Sequence, residues 1–161
     1  MRKWLLIFLP IAANAQIGSI SELRGIGEIL RENSDDSLVA ELELGIASMD
    51  NVRTGNGRLS ITFLDDSTVS LTERSSVVID EYIFNPDPSR SRLALNMASG
   101  TASFLTGALG RINSDRISIR TPVATVAIRG TFFTTHVSEI GETMVILLPD
   151  ENGEASGEIV V

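Results

Sequence analysis

His136 is the only histidine in a chain without cysteine, which removes most of the metal and nucleophile chemistry that side chains offer. A zinc site at His136 would need three carboxylates around it, whereas zinc is held mainly by Cys and His. A hydrolase triad would have neither a Gly-x-Ser-x-Gly elbow nor, beyond Lys3, any lysine to activate a serine. Following Thr134-Thr135 on a strand, His136 fits a surface or partly buried histidine.

The acidic pairs Asp65-Asp66 and Asp80-Glu81 offer hard oxygen ligands of the kind calcium prefers. Neither has the spacing of a calcium loop, and a hairpin turn and a solvated strand end account for them. Gly25-Ile26-Gly27 is not followed by the helix a dinucleotide fingerprint needs. A carboxylate-dependent hydrolase remains a distant alternative, disfavoured because only 5% of residues are aromatic and sugar sites use aromatics for stacking. The expectation is therefore no catalytic residue, no cofactor and no metal.

Two arginines stand out. Arg53 precedes Thr54-Gly55, and Arg129 lies in the run Ile128-Arg129-Gly130-Thr131. Gly130 permits a bulge or a close backbone approach. A guanidinium is a forked donor that ties carbonyls and carboxylates of neighbouring layers together, so both arginines are expected to be structural. Contact with an anionic ligand or a partner is the alternative.

Export is expected from the N-terminus. Arg2 and Lys3 precede an apolar stretch (residues 4–12) and the small-x-small site Ala13-Asn14-Ala15, the order of a cleavable signal peptide over residues 1–15. The stretch is shorter than the roughly 20 residues a bilayer span requires. Cleavage would leave residues 16–161 as a single domain, in the periplasm or secreted, with no spanning segment. The mature chain would carry 11 basic and 21 acidic residues, from 13 and 21 in the whole. That balance argues against nucleic acid as a partner.

The elements that must position these residues read as strands throughout. Leu59, Ile61 and Phe63 alternate with Ser60 and Thr62, as do Leu93, Leu95 and Met97 with their polar neighbours; this is the period of a half-buried strand. Further strands are expected at residues 27–31, 38–46, 69–71, 77–79, 117–119, 126–137, 144–148 and 158–161. Gly25-Ile26-Gly27, Gly55-Asn56-Gly57, Asp65-Asp66-Ser67 and the proline-rich residues 85–89 are expected to be turns. Gly100 is expected to separate two strands, and Gly107-Ala108-Leu109-Gly110 to be a weak connection. About 10–12 short strands with frequent turns predict an all-β fold, either a two-layered sandwich or roll or a solenoid-like arrangement. The sequence stops inside the apolar run Ile159-Val160-Val161, so continuation past Val161 is expected.

Two of these motifs carry a resemblance. Val52-Arg53-Thr54-Gly55, the strand to Phe63, Asp65-Asp66-Ser67, Val69 and Leu71, with Thr121-Pro122 and Ile128-Arg129-Gly130-Thr131-Phe132, resemble the FecR domain family over roughly residues 45–148. Arg53, Thr54, Gly55, Asp65, Ser67, Arg129, Gly130 and Thr131 are the matching positions. The resemblance implies an extracytoplasmic all-β sensory domain, whose best-known members take a signal from an outer-membrane receptor and control a sigma factor. This chain shows neither the cytoplasmic domain nor the spanning helix of those members and is more similar to stand-alone exported relatives. The expectation is a non-enzymatic sensory, scaffold or protein-binding module in the cell envelope. Its partner would be an unidentified envelope protein, met at strand edges or at residues 85–89. The alternative is the N-terminal piece of a larger secreted surface protein. Asp66 stands where the family has a glycine, which predicts a different turn conformation.

Overall fold

The computed structural model describes residues 15–32, 34–85, 87, 90–112, 116–130, 132–149, 152–154 and 157–160, with 111–112 and 128–130 placed by backbone only. The export segment, apart from Ala15, lies outside the described residues, as do Pro86, Pro88, Ser89 and Thr131.

Among the described residues alternation becomes twelve strands. In chain order they are β1 (Gln16–Leu30), β2 (Ser37–Val39), β3 (Gly45–Ala47), β4 (Asn51–Phe63), β5 (Thr68–Leu71), β6 (Ser76–Ile83) and β7 (Arg92–Leu105). A short helix α1 (Ala108–Ile112) precedes β8 (Ile117–Arg120), β9 (Thr125–Gly130), β10 (Phe132–Val137), β11 (Thr143–Leu147) and β12 (Gly157–Val160). The all-β class and the strand number agree with the sequence reading.

Three long strands organise the sheet. β1 runs antiparallel to β4 along nearly all of its length. β5 pairs with the end of β4 and with the end of β7, while β6 pairs with the start of β4 and the start of β7. The ladder β4–β5–β7–β6 therefore closes into a small barrel. From the same two ends of β7 the sheet extends in two directions. One end carries β10 and then β11; the other carries β8, in parallel, and then β9 and β12.

Inward side chains from both extensions meet in one buried cluster that includes Ile20, Ile29, Val52, Leu59, Ile61, Leu71, Ile79, Leu95, Met97, Ile119 and Phe133. Burying one such side chain is worth about 1.5–3 kcal/mol, and an exposed ion pair about 0–1 kcal/mol. The alternating pattern, rather than the surface charge pairs, holds the fold. Phe104 stacks on Phe133 with ring centres 4.7 Å apart.

Several expectations need correction. Gly55-Asn56-Gly57 is not a turn but the middle of β4, and Gly25-Ile26-Gly27 is the middle of β1. Gly25 and Gly57 face each other across the pair, both at positive φ (84° and 143°). A Cβ on Gly57 would lie 1.9 Å from the carbonyl oxygen of Arg24, so the two backbones meet there without side chains between them. Gly100, at φ 91°, likewise lies inside β7 and does not end it.

Residues 38–46 form two short strands around a turn. Glu43 is left-handed there (φ 65°) and Leu42 is exposed. Residues 126–137 also split. β9 pairs with β8 and β12, whereas β10 pairs with β7 and β11, so the expected single strand belongs to two different arms of the sheet.

Candidate functional site

Residues 72–75 link β5 to β6 and pass between β4 and β7, where the sheet divides. Thr54 grips this link from β4. Its hydroxyl donates to the Thr72 carbonyl and accepts the Ser75 amide at 2.9 Å, and its own amide donates to the Ser75 carbonyl at 3.0 Å. The Gly55 carbonyl accepts the Arg74 amide at 3.0 Å. From β7, the Thr101 amide donates to the Ser75 hydroxyl at 3.0 Å, and that hydroxyl lies 3.1 Å from the Thr101 carbonyl. Thr54, Gly55 and Ser75 thus form a clamp at the division of the sheet. Ser75, invisible as a motif, is its centre.

Asp65 and Ser67 form a second hub. Asp65 is 2% exposed, and its carboxylate accepts from the Ser67 amide (3.2 Å), the Ser67 hydroxyl (2.7 Å), the Tyr82 hydroxyl (3.0 Å) and the Leu109 amide (3.0 Å). The Ser67 hydroxyl accepts the Gly107 amide at 2.9 Å. The connection expected to be weak is therefore a helical turn seated on Asp65, with Leu109 fully buried. Burial and the adjacent Asp65 carboxylate push the Tyr82 hydroxyl well above its usual titration range. Asp66 takes a left-handed conformation (φ 64°), which glycine adopts freely and aspartate tolerates.

A third polar group was missed in the sequence. Asp50 is fully buried; it accepts from the Arg31 guanidinium and from the Ala47 amide at 2.8 Å. Arg31 also donates to the Gly45 carbonyl at 2.8 Å. Burial pushes the Asp50 carboxyl above its ordinary 3.8, against the opposing pull of the Ala47 N–H and the Arg31 charge.

The clamp floors a groove of about 530 Å³ whose lining includes Ile26, Glu28, Arg53, Arg74, Ala98 and Ser99. Arg53 approaches Glu28 at 3.7 Å, both side chains 44% exposed. Arg129 and Gly130 lie elsewhere, on β9 opposite Glu158 and Gly157 of β12. The structure therefore does not bring the two motif arginines into one site by any strand pairing.

The remaining candidates are dispersed. His136 is exposed, and its Nδ1 lies 2.9 Å from the Thr101 hydroxyl. Asp80 faces Arg120 at 3.8 Å and Glu81 faces Arg92 at 3.2 Å. Among the described residues no group of three His, Cys, Asp or Glu could hold a metal ion, and no helix is long and apolar enough to cross a membrane.

Two uncharged edge strands expose apolar side chains among the described residues: the three-residue β2, with Leu38 and Val39, and the longer β11. Among the described residues β11, Thr-Met-Val-Ile-Leu, forms a ladder only with β10, while its Thr143 hydroxyl donates to that of Thr121 at 2.9 Å, and it exposes Met144 and Ile146. It carries no charge, proline or glycine, the usual devices that blunt an edge. Beside it, Val123, His136 and Met144 line a shallow groove.

Compared with known proteins, residues 50–149 match the family model described as FecR protein. No curated protein and no solved structure matches the chain.

Proposed function

The chain belongs to the FecR family, and from that premise we propose that it is an exported, non-catalytic β module that binds another protein of the cell envelope. The observation that carries this reading is the uncharged edge of β11. An edge strand of high β propensity is a template for strand addition, in which main-chain hydrogen bonds supply affinity and alternate side chains supply selectivity. Met144 and Ile146 would be the selective positions, since they point outward while Val145 and Leu147 are half-buried.

Export rests on the basic, apolar and small-residue order of residues 1–15. The sensory character of the family agrees with a module whose polar residues fasten turns and strands rather than converge on a reacting atom. Photo-crosslinking from positions 144 and 146 in living cells tests the reading. Crosslinks to one envelope protein are expected from both positions, those from position 144 being lost in Ile146→Lys. Absence of crosslinks at both positions, with the mature protein present in the periplasmic fraction, would sink strand addition at this edge.

A further inference from the structure

The groove above the clamp has the chemistry of a small anion site, and it shares no residue with the β11 edge. We propose that it binds a carboxylate ligand, with Arg53 and Arg74 supplying the charge.

Charge is the first argument. The protein as a whole carries −8, yet this groove is lined by two arginines against the single carboxylate of Glu28; Arg74 also borders the neighbouring groove lined by Glu73 and Glu139. Arg24, Arg31, Arg53, Arg90, Arg92 and Arg120 each have a carboxylate within 4 Å. Arg74, like Arg58 and Arg116, has no such partner among the described residues, and of these three only Arg74 lines this groove. The Arg53–Glu28 contact is long and half-exposed, so it contributes little and yields readily to a competing carboxylate.

Preorganisation is the second. Arg74 is left-handed (φ 52°), and its amide is bonded to the Gly55 carbonyl. The residues on either side, Glu73 and Ser75, belong to the link that Thr54 and Thr101 grip. The base of the Arg74 side chain is therefore fixed before any ligand arrives, which lowers the ordering cost of binding. A guanidinium presents paired donors that match the two oxygens of a carboxylate.

The walls supply the rest. Ile26 is 71% exposed at the rim, and Ala98, also exposed, sits at the register shift between β6 and β7, next to the Ser76–Ser99 pair. The hydroxyls of Ser75 and Ser76 already bond to Thr101 and Asn51, so recognition falls to the arginines and the apolar rim. A volume of about 530 Å³ suits a carboxylate with a short aliphatic body. Such a group comes either from a free dicarboxylate or from a glutamate-rich peptide segment.

Amide NMR titration of the mature chain with glutarate, a blocked glutamate-rich peptide and inorganic phosphate, at low ionic strength, tests the proposal. Saturable shifts at Thr54, Gly55, Arg74 and Ser75 are expected with glutarate or the peptide, and the tighter of the two identifies the source. Affinity is expected to fall roughly tenfold or more in Arg74→Gln, as for loss of a charged hydrogen bond, and to weaken with salt. Arg53→Gln, outside the gripped link, gives the same readout independently. The proposal is overturned if neither carboxylate probe saturates, if phosphate alone binds, or if affinity is unchanged in both variants.

Discussion

The Thr54 hydroxyl accepts the Ser75 amide at 2.9 Å while the Thr54 amide donates to the Ser75 carbonyl at 3.0 Å. This two-way contact joins β4 to the link between β5 and β6. Replacing Thr54 by Val keeps the shape and removes the hydroxyl, leaving the buried Ser75 N–H without its acceptor. An orphaned buried donor costs about 1–3 kcal/mol, so Thr54→Val is expected to lower the unfolding free energy read from urea transitions by that amount. Thr54→Ser, which keeps the hydroxyl, is expected to lose less. A loss in Thr54→Ser with none in Thr54→Val would show that the methyl group, not the hydrogen bonds, matters.

Gly100 lies against the same serine from β7. A Cβ there would sit 2.4 Å from the Ser75 Cα, at a backbone φ of 91°. Both the overlap and the conformation oppose a side chain. Gly100→Ala is expected to destabilise by more than about 2 kcal/mol, read from the same urea transitions. Ser75→Gly in the same chain is not expected to relieve it, because the overlap is with backbone. Full recovery in that double variant would refute the geometry.

Tyr82 is the only tyrosine, so its titration is directly visible in phenolate absorbance. Its pKa is raised above the ordinary 10.0 by burial and by Asp65. Between that ordinary value and the raised one, the native chain keeps a proton that the unfolded chain has lost. Stability from this group is therefore complete below about pH 10 and declines as pH climbs through the native pKa. Native protein is expected to ionise well above the denatured chain, and Asp65→Asn to bring the midpoint down. Coincident titrations of native and denatured protein would contradict the Asp65–Tyr82 bond.

The strands were legible because Leu59, Ile61 and Phe63, or Leu93, Leu95 and Met97, announce a buried face by their spacing alone. The turns were less so. A glycine at positive φ has the same local signature whether it ends a strand or lets one backbone pass close to another. What distinguishes Gly57 is Gly25 across the ladder, and what distinguishes Gly100 is Ser75; both pairings are long-range. Asp65 was visible as a turn residue, but its four donors come from Ser67, Tyr82 and Leu109. Arg74 carries no signal in sequence, since only the fold places it beside Arg53 in one groove. Strand edges were expected as the contact surface, but which strands end the sheet, such as β2 and β11, is a property of the topology.

Asp50 gives the opposite pH behaviour to most carboxylates. Burial raises its pKa above 3.8, and the Ala47 amide and Arg31 offset this only in part. From pH 3.8 up to its native pKa, the folded chain retains a proton that the unfolded chain releases. Its contribution to stability is therefore complete at lower pH and is lost as pH rises through that window. Asp50→Asn cannot titrate but still presents an amide oxygen to the Ala47 N–H. Carboxylates common to both proteins largely cancel in the comparison, so wild-type stability minus Asp50→Asn stability is expected to fall as pH rises from 3.8. Guanidinium unfolding of both proteins over a pH series measures this difference. A difference that rises with pH would mean that the Arg31 charge outweighs burial, reversing the assignment for this pair.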